Sequence, residues 1–219
     1  MASALPNSLF QQYFNNNDYA DIIVELKHPV QDTNCPKSTE YFPMHQIIAC
    51  STSTYFKEAC FNAETNPIGT KLLFFDISLE AFTIIAAWVY GFRGSSFERL
   101  FTEKSIRGVM DFFIDHDLET DIYPEMQELR TLLLKNLFKI TTEAEVASAT
   151  GSPRMDLRSL EDICEYCLPG DRNTIRRLVK QQIPQIKCSA GWLEALAGKS
   201  AAGFLASILL EIYQEAQIQ

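Results

Sequence analysis

Residues 20–26 (ADIIVEL) alternate in character, with Ile22 and Val24 on one side and Ile23 and Glu25 on the other. A period of two in a run rich in β-branched residues predicts a strand with one buried face, read here as one edge of a sheet. After a loop holding Pro29, Asn34 and Pro36, the short aromatic segment 40–44, closed by Pro43, suits a second strand that ends at a turn and completes a hairpin. The period changes at His45. Ile47, Ile48, Cys50, Ser51, Tyr55, Phe56, Ala59 and Cys60 include pairs three and four apart, so residues 45–61 are expected to form a core-facing helix or a bent helix pair. Residues 71–75 (KLLFF) return to a short apolar strand, and Asp76 or Ser78 is placed to cap a helix over residues 79–90. Ahead of the first strand, Leu9, Phe10, Tyr13 and Phe14 would share one side of a helix too short to be stable alone, so it must dock on something.

From about residue 102 the pattern is helical almost throughout. Ile106, Val109, Met110, Phe113 and Ile114 form an apolar stripe, an acidic break covers residues 115–121, and Pro124 starts a long helix carrying Met126, Leu129, Leu132, Leu133, Leu137 and Phe138. Gly151, Ser152 and Pro153 read as a linker. Residues 157–168, 174–186 and 192–213 suggest three more amphipathic helices, separated by Pro169-Gly170 and by residues 189–191. The expected fold class is therefore α+β, with a first domain over residues 8–118 and an all-helical region over residues 119–219.

This order of elements resembles a BTB/POZ domain. In that family an Asp opens the first strand, a His follows the second, a Ser-x-x-Phe pattern occupies the next helix, and an apolar helix ends near Tyr-Gly. The matching positions here are Asp21, His45, Ser53 with Phe56, and Ala81, Phe82, Tyr90 and Gly91. Each is a common residue, and the signal is their joint order and spacing. The resemblance implies a small sheet flanked by a helical cluster, and a protein–protein interaction module that pairs with itself or with another BTB protein, a homodimer being the expected state. In many dimeric members the N-terminal helix packs across the subunit boundary, which would make Leu9, Phe10, Tyr13 and Phe14 interface residues; packing on their own domain is the alternative. Many adaptors for cullin-type ubiquitin ligases carry an apolar residue two positions before a Glu after the Ser-rich helix. Here Asn62 stands at that spacing before Glu64, and Phe61 is its neighbour, so Phe61 and Glu64 are the candidate cullin contact. Two functions follow from the resemblance: a substrate adaptor of a cullin-RING ubiquitin ligase, or a cullin-independent oligomerising scaffold or regulator. The chain is similar in build to stand-alone BTB proteins of fungi, and its helical extension is only loosely BACK-like.

Composition and charge narrow the classes. A chain of 219 residues with 47% hydrophobic residues can bury a sizeable core. Its formal charge of −9 argues against a nucleic-acid surface, which needs a local excess of Lys and Arg. The acidity is uneven, at −4 over residues 1–97, −5 over 98–150 and zero over 151–219. The N-terminus lacks the basic and long apolar regions of a secretory signal, and the apolar run 201–210 is too short to span a bilayer. An intracellular protein that does not enter membranes is expected. In that setting the six cysteines, at 35, 50, 60, 164, 167 and 188, read as reduced core thiols.

Candidate chemistry is sparse. Cys164-Glu165-Tyr166-Cys167 is a CxxC, but no second CxxC or nearby His completes a four-ligand zinc site. A thiol or metal enzyme centred on this pair is the alternative from another class. His45 and Cys50, five apart in one helical segment, would lie on different faces, so a structural His at a helix start is the simpler reading. Asp111, Asp115, Asp117, Glu119 and Asp121 lack the glycine and terminal Glu of a calcium loop and read as a solvated acidic helix end. Arg172, Arg176, Arg177 and Lys180 make a basic stripe, either a solvated face or a surface for an acidic partner such as another copy of the first domain. No glycine-rich phosphate loop or Ser-His-Asp order is present, so no enzyme, cofactor or metal is expected.

Overall fold

A computed structural model of the chain describes residues 8–27, 39–116, 118, 122–148, 163–164, 166–167, 171–182 and 202–217. Its fold is α+β, and it divides into two compact units, Met1–Leu129 and Arg130–Gln219.

The first unit is built on a mixed sheet of four strands: β1 (Ile22–Lys27), β2 (Thr39–Met44), β3 (Glu64–Thr65) and β4 (Lys71–Phe75), in the order β2-β1-β4-β3. β1 runs antiparallel to β2 and parallel to β4, so it is an interior strand rather than the expected edge. The period-two pattern gives the faces of a strand but not its neighbours. The parallel pairing needs a long crossover, which the helices between β2 and β4 supply. Side chains on one face stand in rows, Phe42 beside Val24 beside Leu73, with Ile22, Leu26, Met44 and Phe75 also buried.

Helix α1 (Ser8–Gln11) is a single turn ahead of β1. After β2, α2 (Gln46–Thr52) and α3 (Thr54–Asn62) form the bent pair, broken at Ser53, whose backbone is extended and whose hydroxyl oxygen accepts from Phe56 N–H at 3.3 Å as the cap of α3. Two-turn α2 buries Ile48 and Ala49 and so turns Ile47 outward, 80% exposed, against the expectation that it faces the core. Helix α4 (Leu79–Val89) is capped by Ser78, accepting from Ala81 N–H at 3.3 Å, and is buried on nearly every side, as an all-round apolar helix requires. It ends in a Schellman motif: Gly91 N–H donates to Trp88 O and Phe92 N–H to Ala87 O, both at 3.0 Å. Gly91 adopts φ 82° there, a left-handed conformation that favours glycine.

A short helix, α5 (Ser95–Glu98), leads to α6 (Glu103–Asp115), which opens with a Thr102/Ser105 capping box and packs on α4. A Cβ built on Gly108 would lie 3.0 Å from Ala81 Cβ, so glycine permits this approach. In α6 the buried stripe includes Phe112, while Ile114 is 38% exposed. Between sheet and helices lies an aromatic core in which Phe82 meets Phe42, Phe56 and Phe75 at centroid distances of 5.4, 6.4 and 5.9 Å.

Helix α7 (Pro124–Ser148) runs through the division between the units. Its first turn belongs to the first unit. The Glu125 carboxylate accepts from Thr54 N–H at 2.7 Å and from the Ser53 hydroxyl at 3.3 Å, placing an anion at the N-terminus of α3. Glu125 O accepts from the Trp88 indole at 3.1 Å, and the Tyr123 hydroxyl donates to Glu58 at 2.8 Å.

In the second unit, α7 contributes Leu133, Leu134, Leu137 and Phe138, α8 (Arg172–Gln182) contributes Ile175 and Val179, and α9 (Ala202–Gln217) contributes Leu205, Ile208 and Leu209, all buried. Arg130 and Asp171, 1% and 0% exposed, form an ion pair at 2.7 Å, and Arg130 also donates to the Tyr166 carbonyl. Arg172 pairs with Glu211, Arg176 with Glu211 and Glu215, and Lys180 with Glu215. Three of the four cations in the basic stripe therefore have acidic partners in their own unit. Hydrogen bonding from Arg172 holds the Glu211 carboxyl below its usual range. Its contribution is complete above the ordinary glutamate value and is lost as pH falls through the lowered one. Of the three late helices expected, most of residues 157–168, all of 183–186 and all of 192–201 lie outside the described residues, as do the expected linker at 151–153 and the loop segment 28–38.

Candidate protein-interaction surface

Asp21, His45 and Tyr90, three of the residues singled out in the sequence, meet where the sheet gives way to α2. Asp21 precedes β1, and its carboxylate accepts from Gln46 N–H at 2.6 Å, capping α2, whose own cap residue, His45, offers no side-chain bond. His45 is 4% exposed. Its backbone N–H donates to the Tyr90 hydroxyl at 2.9 Å, and its ring bonds Tyr90 Oη through Nδ1 and the Asp18 carbonyl through Nε2, both at 2.8 Å. A carbonyl can only accept, so Nε2 carries the ring proton; in the neutral ring Nδ1 then accepts from the Tyr90 O–H. Burial pushes the Tyr90 phenol up to about 12, which keeps that proton in place. His45 is thus a fixed structural group, and Cys50 lies a turn further along α2.

Tyr90→Phe removes the acceptor of a buried N–H and the donor to Nδ1. It is expected to destabilise the first unit by about 1–3 kcal/mol, measured as a fall in the urea midpoint at unchanged slope. A change below about 0.5 kcal/mol would remove this network from the account of the corner.

The N-terminal residues pack within their own chain. Phe14 contacts Phe42, Tyr90 and Phe92 at 5.7, 5.7 and 5.0 Å, Tyr13 meets the His45 ring at 5.4 Å, and Gln11 donates to the Gly91 carbonyl at 3.1 Å. Phe10 is half-buried; Leu9 belongs to α1, and its side chain lies outside the described residues. The turn that follows is asparagine-rich, and Asn16 Oδ1 accepts from Asp18 N–H at 2.8 Å.

Ser53, Phe56 and Gly91 are likewise framework: a cap, a fully buried ring and a helix stop. The exposed apolar residues form a different set. Ile22 pairs with both Met44 and Lys71, so the chain leaves the sheet at one end through residues 19–21, 45–47 and 66–70. Tyr19, Ile47 and Ile68 stand in those three segments and are 90%, 80% and 85% exposed. Phe61, in the last turn of α3, is 87% exposed. Glu64 is exposed at the start of β3 and Asn62 is exposed before it. Sequence reasoning passed over Tyr19 and Ile68, although a large apolar side chain among turn formers (NNNDY, NPIG) is itself a signal.

No protein-family model matches the chain, and no curated protein matches it.

Cys164 is buried, and Cys167 donates to the Ile163 carbonyl at 3.4 Å. Hydrogen bonding to Cys164, followed by burial, raises the Cys167 thiol far above its ordinary value, which disfavours the thiolate that a metal or a nucleophilic role needs. Among the described residues no three His, Cys, Asp or Glu side chains are grouped to hold a metal ion, and no helix is long and apolar enough to cross a membrane. In the acidic run, Asp111 and Asp115 lie on α6, and residues 117, 119 and 121 lie outside the described residues. Cys50, Cys60, Cys164 and Cys167 are free thiols; Cys35 and Cys188 are not among the described residues.

Proposed function

We propose that the first unit is a BTB/POZ-like interaction module that pairs with itself or with another BTB protein. The observation that carries this reading is the division of labour at one corner of the fold. Asp21, His45 and Tyr90 tie the start of β1, the N-terminus of α2 and the end of α4 together, and Gly91 ends α4 there, while Tyr19, Ile47 and Ile68 are exposed at that end of the sheet. Element order supports it too: a hairpin, a helix pair, a strand parallel to the first, and an apolar helix ending at Tyr90-Gly91. Large apolar side chains held out by a rigid frame fit a docking surface, because their burial by a partner is the main favourable term in association.

The adaptor and scaffold readings diverge at Phe61 and Glu64. Both are exposed, as a cullin contact requires, and Asn62 occupies the place of the usual apolar residue. Light scattering behind a sizing column decides between them, with the protein alone and mixed with the N-terminal domain of a BTB-binding cullin. A dimer that shifts to a larger complex is the adaptor outcome; a dimer that does not shift is the scaffold outcome; a monomer in both mixtures discards the interaction reading. Ile47→Asp and Phe61→Asp change residues with few contacts of their own and are expected to weaken association without lowering the unfolding midpoint. Substitutions at Phe14 would disturb the domain that Phe14 packs on, so they do not separate pairing from folding.

A further inference from the structure

The outer face of the sheet, opposite the one that buries Phe42, Val24 and Leu73, carries a second group of side chains. The register sets Glu25 of β1 opposite Tyr41 of β2 on one side and opposite Phe74 of β4 on the other, so the three stand in one row across the sheet. Tyr41 is 62% and Phe74 49% exposed, and Glu25 between them is half-buried. Neighbouring strands lie about 4.8 Å apart, so one aromatic ring flanks the carboxylate on each side. In the next row Ile23 and Leu72, both half-buried, are paired.

This row favours a cation. An aromatic ring attracts positive charge to its face, and the chain supplies an example: Lys27 Nζ lies 5.6 Å from the centroid of Phe74. Among the described residues no cation forms an ion pair with Glu25. Glu64, opposite Leu72 in β3, adds a second carboxylate to the same face.

We propose that the row is a docking site for an arginine side chain of a protein partner, with the guanidinium on the Glu25 carboxylate and between the Tyr41 and Phe74 rings. Arginine fits better than lysine for a physical reason. Its planar fork can meet a carboxylate through two N–H groups while its face lies on a ring, and it is less strongly hydrated than an ammonium. Residues two apart in an extended segment share a side and have the spacing of Glu25 and Ile23, so an apolar side chain two places from the arginine covers Ile23 and Leu72. Lys27 leaves the Phe74 ring when the arginine arrives. The site lies on the flat of the sheet, whereas Tyr19, Ile47 and Ile68 lie at its end, so the proposal does not rest on self-pairing.

The test follows the amide signals of the ¹⁵N-labelled full chain by NMR as the peptide acetyl-Gly-Leu-Gly-Arg-Gly-amide is added. The expected result is a saturable shift of residues 23–27, 41–43 and 72–74, abolished when citrulline, which keeps the shape and removes the charge, replaces arginine. Glu25→Gln, Tyr41→Leu and Phe74→Leu should each weaken binding about two- to fivefold, at an unchanged urea midpoint. Lys27→Met, which clears the Phe74 ring, should strengthen it. A lysine peptide that binds as well as the arginine peptide, with no loss in the two leucine variants, would mean that negative charge alone attracts, and would overturn the proposal. So would shifts confined to other surfaces, or the same shifts appearing with protein concentration and no peptide, which would seat a second copy on the row.

Discussion

Replacing Arg130 by methionine is expected to destabilise the second unit by about 3–5 kcal/mol, seen as a large fall in its urea midpoint. The size follows from burial. Arg130 and Asp171 are 1% and 0% exposed and pair at 2.7 Å, so removing the cation leaves a carboxylate in a place that water does not reach. Arg130 also donates to the Tyr166 carbonyl, and that contact brings the segment before α8 onto α7. Asp171→Asn should cost less, since a neutral amide oxygen can still accept from the guanidinium. The double variant Arg130→Met with Asp171→Leu should recover much of the loss, because apolar side chains of similar volume often replace a buried pair without penalty. A single-variant loss below about 1 kcal/mol would mean that the pair is not desolvated as its burial requires.

Phe82→Ala is expected to cost about 3–5 kcal/mol in the first unit. Phe82 is fully buried where three parts of the fold meet, against Phe42 of β2, Phe56 of α3 and Phe75 of β4. Truncation removes the buried ring and leaves a cavity that helix and sheet, each held by its own backbone bonds, can only partly collapse. Phe82→Leu should cost less, and Phe74→Ala, at a ring 49% exposed on the other face of the sheet, should change stability by less than about 1 kcal/mol. Urea titration of the three variants side by side checks the order, and equal losses at Phe74 and Phe82 would contradict the assignment of faces.

Much of the first unit could be read from local patterns. The alternation of ADIIVEL put Ile22 and Val24 on one face, KLLFF marked β4, Asp76 or Ser78 bracketed one helix start and Pro124 marked another, because each signal acts within a few residues. What escaped the sequence is what depends on distant partners. β3 has only two residues and no period to detect. The place of β1 inside the sheet follows from β4 returning parallel to it, about fifty residues later. Glu125 completes the cap of α3 from more than seventy residues away, and nothing near Ser53 announces it. The basic stripe of α8 was legible, but its partners Glu211 and Glu215 lie on α9. At the candidate surface the frame residues stood out through their joint order and spacing along the chain. Tyr19 and Ile68 did not, since a turn sequence alone does not say whether the apolar side chain it carries is covered.

The outer strands of the sheet carry one more consequence. Among the described residues β2 is an edge and contains Pro43, which has no N–H to offer an incoming strand; the opposite edge, β3, is two residues long. Proline on an edge and very short edge strands are the features that keep a sheet from being extended by another chain's backbone. The hairpin is thereby protected from strand-to-strand aggregation, even with Tyr41 and Phe74 exposed on the face beside it. A partner added as an extra strand would find few backbone groups to bond, so recognition falls to side chains, and a peptide that binds here should tolerate methylation of its backbone amides.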